Sequence, residues 1–399
     1  MPFSRPLTLL AIAVALAVSF VACGGASSVR KTSATTPSSN TLAAVVNPGP
    51  AASSNGGYAN GLFATVSICV PGTSNCQSIG GVLVDTGSFG LRLLSSAITS
   101  SLNSALPREK DANGNTIVEC AEFSDGITWG PVVNADVKLS GEVASGIPVQ
   151  VIGDSSFATI PSSCSGAGAP EDTLQKLGTN GILGIGAFVL DGSPYYSCSA
   201  SSCTTATLAN TQLVSNPVAS FSKDNNGVII ELPAASTTTA SLTGTVVFGI
   251  DTESNNALGR AHVLTISLKT GNFSTTFKGK TYADAGFLDT GSNGFFFLNS
   301  SITGMPTCPS PANGFYCPSS LTKLSATNTG ANGATSSVTF SVDNADSLFA
   351  VPSASVFPTL GGPLSGMFDW GLPFFYGRNV YVAIDGRPTS GGTGPYWAY

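Results

Sequence analysis

Short apolar runs separated by clusters of Gly, Asn, Ser, Thr and Pro recur along most of the chain. GGVLVDTG, ADVKLSG, IPVQVIGD, NGILGIG, NGVIIELP, GTVVFGID, HVLTISLK, SVTFSV and NVYVAIDG are examples. Their β-branched content, frequent alternation and turn-forming borders predict strands rather than helices. Helical periodicity is scarce, and short helices are expected only near Ala206 to Val214 and after Ser95 and Asn299. The pattern predicts an all-β body whose folded sequence begins near Tyr58, where YANGLFATVSICV opens an alternating stretch.

The first 56 residues depart from that pattern twice. Residues 1–22 carry one charge, Arg5, and an apolar run from Leu7 to Ala22 that is short for a bilayer span, so they read as an export signal. Phe20-Val21-Ala22-Cys23-Gly24 resembles a bacterial lipobox. That resemblance implies a lipid on Cys23, a place in the bacterial cell envelope, and a membrane contact made through that lipid. Gly24, where an aspartate would signal retention, points to the outer membrane or periplasmic face rather than the inner membrane. Residues 23–56 are dominated by Ser, Thr, Ala, Pro and Gly and predict a flexible tether.

Composition narrows the function classes. The chain of 399 residues has 10% charged residues, 46 glycines and a formal net charge of −6. No Lys/Arg cluster or basic aromatic stripe is present, which argues against nucleic acid and other polyanions as partners. Besides Cys23, eight cysteines fall in sequence-local pairs: Cys69/Cys76, Cys120/Cys164, Cys198/Cys203 and Cys308/Cys317. An even set fits disulfides in an oxidising compartment, although spacing alone leaves their connectivity open. Zinc would call for closer Cys-x-x-Cys spacing or histidines, and His262 is the only histidine. It also leaves a Ser-His-Asp or Cys-His apparatus resting on one residue beside a predicted strand.

The candidate chemistry lies in a repeat. VDTGSFGLRLLSSAI and LDTGSNGFFFLNSSI share eight residue types in register, including Asp85-Thr86-Gly87-Ser88 and Asp289-Thr290-Gly291-Ser292. A like offset into each half places the second start near His262 and the boundary at 257, giving lobes over 57–256 and 257–399. Two carboxylates on tight loops that meet at an interface can share one proton, and such a pair can activate water without metal or cofactor. Gly87 and Gly291 would admit the backbone close to the carboxylates, Ser88 and Ser292 would donate to their outer oxygens, and Thr86 and Thr290 would brace the loops.

With these motifs the chain resembles the bilobal, pepsin-like aspartic proteases across about Tyr58 to Asp385. NGILGIG, GTVVFGID and FDWGLPFFYGRNVYVAIDG stand in the family's order. A bacterial lipoprotein family of unknown function that carries two Asp-Thr-Gly-Ser motifs is a closer resemblance. The likeness implies a bilobal double β-barrel with pseudo-twofold symmetry and few short helices. It also implies a monomeric endopeptidase with Asp85 and Asp289 catalytic and a peptide or protein substrate in the inter-lobe cleft. The alternative is a non-catalytic pepsin-like lipoprotein that binds or senses a peptide or protein. Departures concern the flap: where the family has a Tyr-Gly-Thr-Gly hairpin, this chain has Trp129-Gly130, and Arg92 takes the place of a tryptophan. A cation–π pair between Trp129 and Arg92 is the expected substitute. Asp369, in a segment that is apolar in the family, is expected to cap a turn.

Overall fold

A computed structural model describes residues 39–51, 57–199 and 202–399. The expected leader over 1–22, the Cys23 lipidation site and most of the expected tether lie outside the described residues. Strands dominate, and the longest helix among the described residues, Ser100–Ala105, has six residues. Helical turns at Ser95–Ala97, Asn210–Gln212 and Ser300–Thr303 fall where the sequence places them. The last is bounded by its own chemistry. The Asn299 side chain accepts from the Ile302 N–H at its start, and Gly304, in the left-handed region, ends it. No helix of the described residues is long and apolar enough to cross a membrane.

Two large sheets carry the fold. In the larger, of 15 strands, Gly61–Cys69 pairs with Cys76–Asp85 on one side and with Ile127–Leu139 on the other. The path continues through Glu142–Ile152, Phe89–Leu94 and Gly181–Ile185 back to Cys76–Asp85 and so closes into a barrel-like ring. The second sheet has seven strands, including Phe273–Phe277, Lys280–Leu288, Phe295–Leu298 and Leu364–Trp370. The larger sheet is not confined to the first half of the chain. Gly227–Leu232 pairs with Arg378–Ala383, which in turn pairs with Tyr396–Ala398.

The tether expected over 23–56 gives way to ordered sheet at Thr41. Thr41–Asn47 is a strand held between Leu242–Phe248 and Gly61–Cys69. Its Leu42, Ala44 and Val46 face inward and are buried. Small side chains suffice there because one edge is paired over Thr41–Val46 and the other over Ala44–Asn47, so the period-two pattern matters more than bulk.

Each Asp-Thr-Gly-Ser loop sits in the same weave of strands. Cys76–Asp85 runs parallel to Gly181–Ile185, which is antiparallel to Phe89–Leu94, itself parallel to Glu142–Ile152. In the second sheet Lys280–Leu288 runs parallel to Leu364–Trp370, which is antiparallel to Phe295–Leu298, itself parallel to Gly361–Gly362. Glycine makes each crossing possible. A Cβ on Gly184 would lie 2.6 Å from the Phe89 nitrogen, and one on Gly371 would lie 2.2 Å from the Gly294 carbonyl oxygen.

The cores follow the alternation. Phe295 and Phe297 point into the second core with Phe340, Phe368 and Trp370, while Phe296 between them is only half-buried. Disulfides join Cys69–Cys76, Cys120–Cys164, Cys198–Cys203 and Cys308–Cys317.

One buried side chain just before the strand Gly61–Cys69 ties the first half of the chain to the second. Asn60 Oδ1 accepts from the Phe357 N–H at 2.6 Å and the Tyr376 hydroxyl at 2.7 Å. Its Nδ2 donates to the carbonyls of Asn293 at 2.7 Å and Phe357 at 2.9 Å. At φ +51° the backbone there is left-handed, which asparagine tolerates better than alanine. Asn60→Ala is expected to cost about 3 kcal/mol, because it strands buried donors and acceptors and strains the backbone. Urea unfolding of the variant checks this, and a loss below about 1 kcal/mol would contradict the role of the side chain.

Candidate active site

Asp85 closes the strand Cys76–Asp85, and Asp289 follows Lys280–Leu288 by one residue. Four hydrogen bonds lock the two loops together. Thr86 N–H donates to Thr290 Oγ1 at 3.1 Å and Thr290 N–H to Thr86 Oγ1 at 3.0 Å. The Thr86 hydroxyl donates to the Leu288 carbonyl at 3.2 Å and the Thr290 hydroxyl to the Val84 carbonyl at 2.7 Å. Each threonine therefore spends its hydroxyl on the opposite strand, and serine or alanine would lose packing or bonding there. Thr86 and Thr290 are both buried, which keeps water from competing.

The carboxyl groups are held in matching ways. Asp85 Oδ1 accepts from the Gly87 N–H and Asp289 Oδ1 from the Gly291 N–H, both at 2.7 Å. The outer oxygens accept from hydroxyls, Asp85 Oδ2 from Ser88 and Asp289 Oδ2 from Ser292. The glycines make room for the opposite carboxyl. A Cβ on Gly87 would fall 2.7 Å from Asp289 Cγ, and one on Gly291 would fall 2.7 Å from Asp85 Oδ1. The Asp85 carboxyl is held well above the usual carboxylate range, first by burial and then by the charge and hydrogen bond of Asp289, against the opposing bonds from Ser88 and Gly87. An Asp85 carboxyl raised in this way keeps its proton near neutral pH.

Two depressions flank the Asp85 loop. A cavity of about 580 Å³ on one side is lined by Thr86, Gly87, Phe89, Phe188, Ile266 and Phe287, among others. Leu268, also on its wall, leaves 71% of its surface exposed. On the other side a smaller cavity meets Gly87, Ser88, Arg92, Phe123, Asp191 and Ser193. The two hollows share Gly87 and Phe89 and so meet at the Asp85 loop, though neither is lined by Asp85 or Asp289 itself.

The expected partnership of Trp129 with Arg92 is replaced by two others. Trp129 and Gly130 lie within the strand Ile127–Leu139, behind the hairpin turn that follows Thr116–Glu122. The indole packs against Tyr196 and donates to the Phe157 carbonyl at 2.8 Å, inside a small core with Val118, Ile127 and the Cys120–Cys164 bridge. A Cβ on Gly130 would collide with the Val151 carbonyl. Arg92 lies over the ring of Phe123 instead, at 5.8 Å. Its guanidinium is fully buried and bridges Glu119, at 2.6 Å, and Asp191, while also donating to the Phe89 carbonyl. Arg92 is the charge hub that pins the hairpin strand bearing Glu119 to the strand that leaves the Asp85 loop. Two carboxylates and one fixed cation explain why tryptophan was not a suitable partner: a buried guanidinium needs paired charge, not only a π-face.

Asp369 is also not a turn cap. It lies in the strand Leu364–Trp370, buried, with its ionisation pushed up first by burial and then by Asp289, with a smaller contribution from Asp85. Tyr58 packs edge-on against Phe63. Its phenol is pushed up by burial and by the charges of Asp125, Asp289, Asp85 and Glu171. Sequence alone marks Tyr58 only as the start of the folded chain, because nothing local links it to loops that the fold brings near. Among the described residues, the grouping Cys308, Cys317 and Asp346 has metal-ligand spacing, but both cysteines are spent in a disulfide.

A family described as "Protein of unknown function (DUF3443)" matches residues 36–399. No curated protein matches the chain.

The buried acids set the pH dependence of stability. A carboxyl that titrates higher when folded than its unfolded value of about 3.9 contributes fully below about pH 4, and that contribution is lost as pH rises through its folded-state value. Asp85 and Asp369 are of this kind, and Glu171 is pushed up to about 7 by burial and Asp125. Asp154 and Asp251, held low despite burial by hydrogen bonds from Arg108 and Leu258, act in the opposite sense but are already ionised above about pH 4. Urea midpoints are expected to fall between pH 4 and pH 8. Asp85→Asn, uncharged throughout, is expected to exceed the parent at pH 8 and to differ little at pH 4. Parent stability that rises over this interval, with no gain in the variant at pH 8, would contradict the electrostatics of the pair.

Proposed function

The chain belongs to this family of unknown function, and from its own site we propose that it is an exported, lipid-anchored aspartic endopeptidase with a pepsin-like, bilobal double barrel divided near residue 257. One observation carries the reading. Asp85 and Asp289, on crossed threonine-linked loops, each have one oxygen held by a glycine N–H and one by a serine hydroxyl, and they share one electrostatic site. The matching weave of strands around the two loops supports the pseudo-twofold architecture.

In this reading a water between the carboxyls loses a proton to Asp289 while its oxygen attacks the peptide carbonyl carbon. Asp85 gives its proton to the carbonyl oxygen. Collapse of the resulting diol breaks the C–N bond. The departing nitrogen takes the proton from Asp289, and a diol hydroxyl returns one to Asp85, so the pair ends as it began. Assigning the proton to Asp85 follows from its burial beside the charge of Asp289. The walls formed by Phe89, Phe188, Ile266 and Phe287 favour bulky apolar side chains beside the scissile bond.

A second reading, a non-catalytic module that binds a peptide or protein, is favoured by one feature. The hairpin beside the dyad is fixed by the Arg92–Glu119 ion pair and the Cys120–Cys164 bridge, which restrict closure over a bound chain.

Incubation with a diverse peptide library from pH 3 to pH 7 separates these readings. The enzyme is expected to cleave next to bulky apolar residues and to keep activity towards neutral pH, since the shared proton persists while Asp85 remains protonated. Asp85→Asn and Asp289→Asn are each expected to lower kcat/KM by about a thousandfold or more. Cleavage that survives both substitutions would sink the enzyme. Tight binding of a statine-type peptide without turnover in the parent would favour the module.

A further inference from the structure

A third hollow, of about 470 Å³, shares no residue with the two at the Asp85 loop. It lies where the start of the strand Arg378–Ala383 meets the segment 257–261 and Tyr399. Arg260 and Arg378 both line it, and no Asp or Glu does. In a chain with 22 acidic against 16 basic residues, that balance is reversed from the average. Arg378 is half-buried and opens its strand on the same parity as Val380 and Val382, which face the core. Its guanidinium lies over the Phe374 ring at 4.5 Å and donates to the Phe374 carbonyl. Tyr399 packs edge-on against the same ring at 4.9 Å. The cation is therefore held in place, yet no carboxylate among the described residues lies within ion-pair distance of Arg378 or Arg260. Glu231, on the neighbouring strand, is taken by Asn379 at 3.2 Å and by Thr245 at 3.0 Å.

The contrast with Arg92 is direct. That guanidinium is buried with two carboxylates, whereas Arg378 bears the cost of burial with only a carbonyl and a π-face to offset it. Arginine stays charged in proteins and has five N–H groups to give. None of the Arg378 nitrogens is sealed in the interior without a partner, so the donors not spent on Phe374 reach solvent. We propose that this hollow is an oxyanion site that takes a phosphate group, with Arg378 as its fixed cation and the exposed Arg260 as a second. A guanidinium meets phosphate oxygens two at a time through its planar fork, which a point charge does not do. The tyrosines supply walls: the Tyr381 hydroxyl donates to the Ala257 carbonyl at 2.9 Å, and the Tyr399 hydroxyl accepts from Asn328 at 3.0 Å. The hollow is larger than one phosphate group, so these rings leave room for an organic body esterified to it. A phospholipid headgroup and a soluble phosphate ester both present that chemistry. The two arginines are distant in sequence and form a pocket for one group, not a track for a polyanion. The site is independent of the chemistry proposed for Asp85 and Asp289.

Binding is measured on the full chain near neutral pH, with ionic strength held constant by chloride so that screening does not change. The probes are inorganic phosphate and glycerol 3-phosphate by calorimetry, and phosphatidylcholine vesicles with and without phosphatidic acid by co-sedimentation. At least one phosphate probe is expected to bind, and Arg378→Gln is expected to weaken it by about tenfold or more, the size of one hydrogen bond to a charged group. Arg260→Gln is expected to weaken it by a smaller factor, since that charge is exposed. Lys323→Gln, which removes an exposed charge from the other sheet, is expected to leave binding unchanged. Should Arg378→Gln fail to fold, Arg378→Lys keeps the charge without the fork and is expected to weaken binding by about fivefold. Arginine-dependent binding of glycerol 3-phosphate without extra retention on phosphatidic acid identifies a soluble ester; arginine-dependent retention on phosphatidic acid vesicles identifies a headgroup. The proposal is overturned if no phosphate probe binds, or if the arginine substitutions lower binding no more than Lys323→Gln does.

Discussion

Two segments 204 residues apart are joined by hydrogen bonds in which each threonine serves the opposite strand twice, as acceptor for its loop and as donor to its carbonyl. Little else in the site has freedom once these bonds are made. The crossing fixes both loops, each loop aims its aspartate, and the glycines that follow leave room for the opposite carboxyl where any Cβ would collide with it. Because the bonds are buried, their exchange for bonds to water is unfavourable unless the two loops separate entirely.

That constraint has an electrostatic cost that the protein distributes unevenly. Acidic groups gather around the pair, with Asp369 behind it and Asp125 and Glu171 near Tyr58. Among the described residues the fully buried cation, Arg92, is already committed to Glu119 and Asp191. The site therefore lowers its charge by holding protons rather than by recruiting counter-ions. Such a solution suits chemistry that needs a carboxylic acid as donor beside a carboxylate as acceptor, and it accepts a penalty in stability as the surroundings become less acidic.

Much of this was legible in the sequence, and the limits have physical reasons. The repeated Asp-Thr-Gly-Ser, the period-two alternation and the paired cysteines each report on local or repeated structure, so strands, loop contacts and the presence of disulfides, though not their connectivity, could be read directly. Thr41–Asn47 was missed because small residues suffice in a strand whose two edges are filled by distant partners, and no window of sequence shows those partners. Trp129 and Arg92 were identified as unusual, yet their actual partners, Tyr196 for one and Glu119 and Asp191 for the other, come from segments between about 27 and 99 residues away. Asp369 was visible as an acid in an apolar run. Its burial between Phe287 and Phe296 depends on sheet pairing that no local pattern encodes.

The strand Thr41–Asn47 also bears on the order in which the chain can be completed. It emerges early, but one of its two partners, Leu242–Phe248, lies about two hundred residues later, and Gly227–Leu232 waits for Arg378–Ala383 close to the C-terminus. A chain that moves through a narrow channel from its N-terminus would carry open strand edges until nearly its whole length had passed. Such edges are pairing templates for other chains, and closure of so many distant contacts is slow. Completion of the larger sheet therefore waits on strands from both ends of the chain.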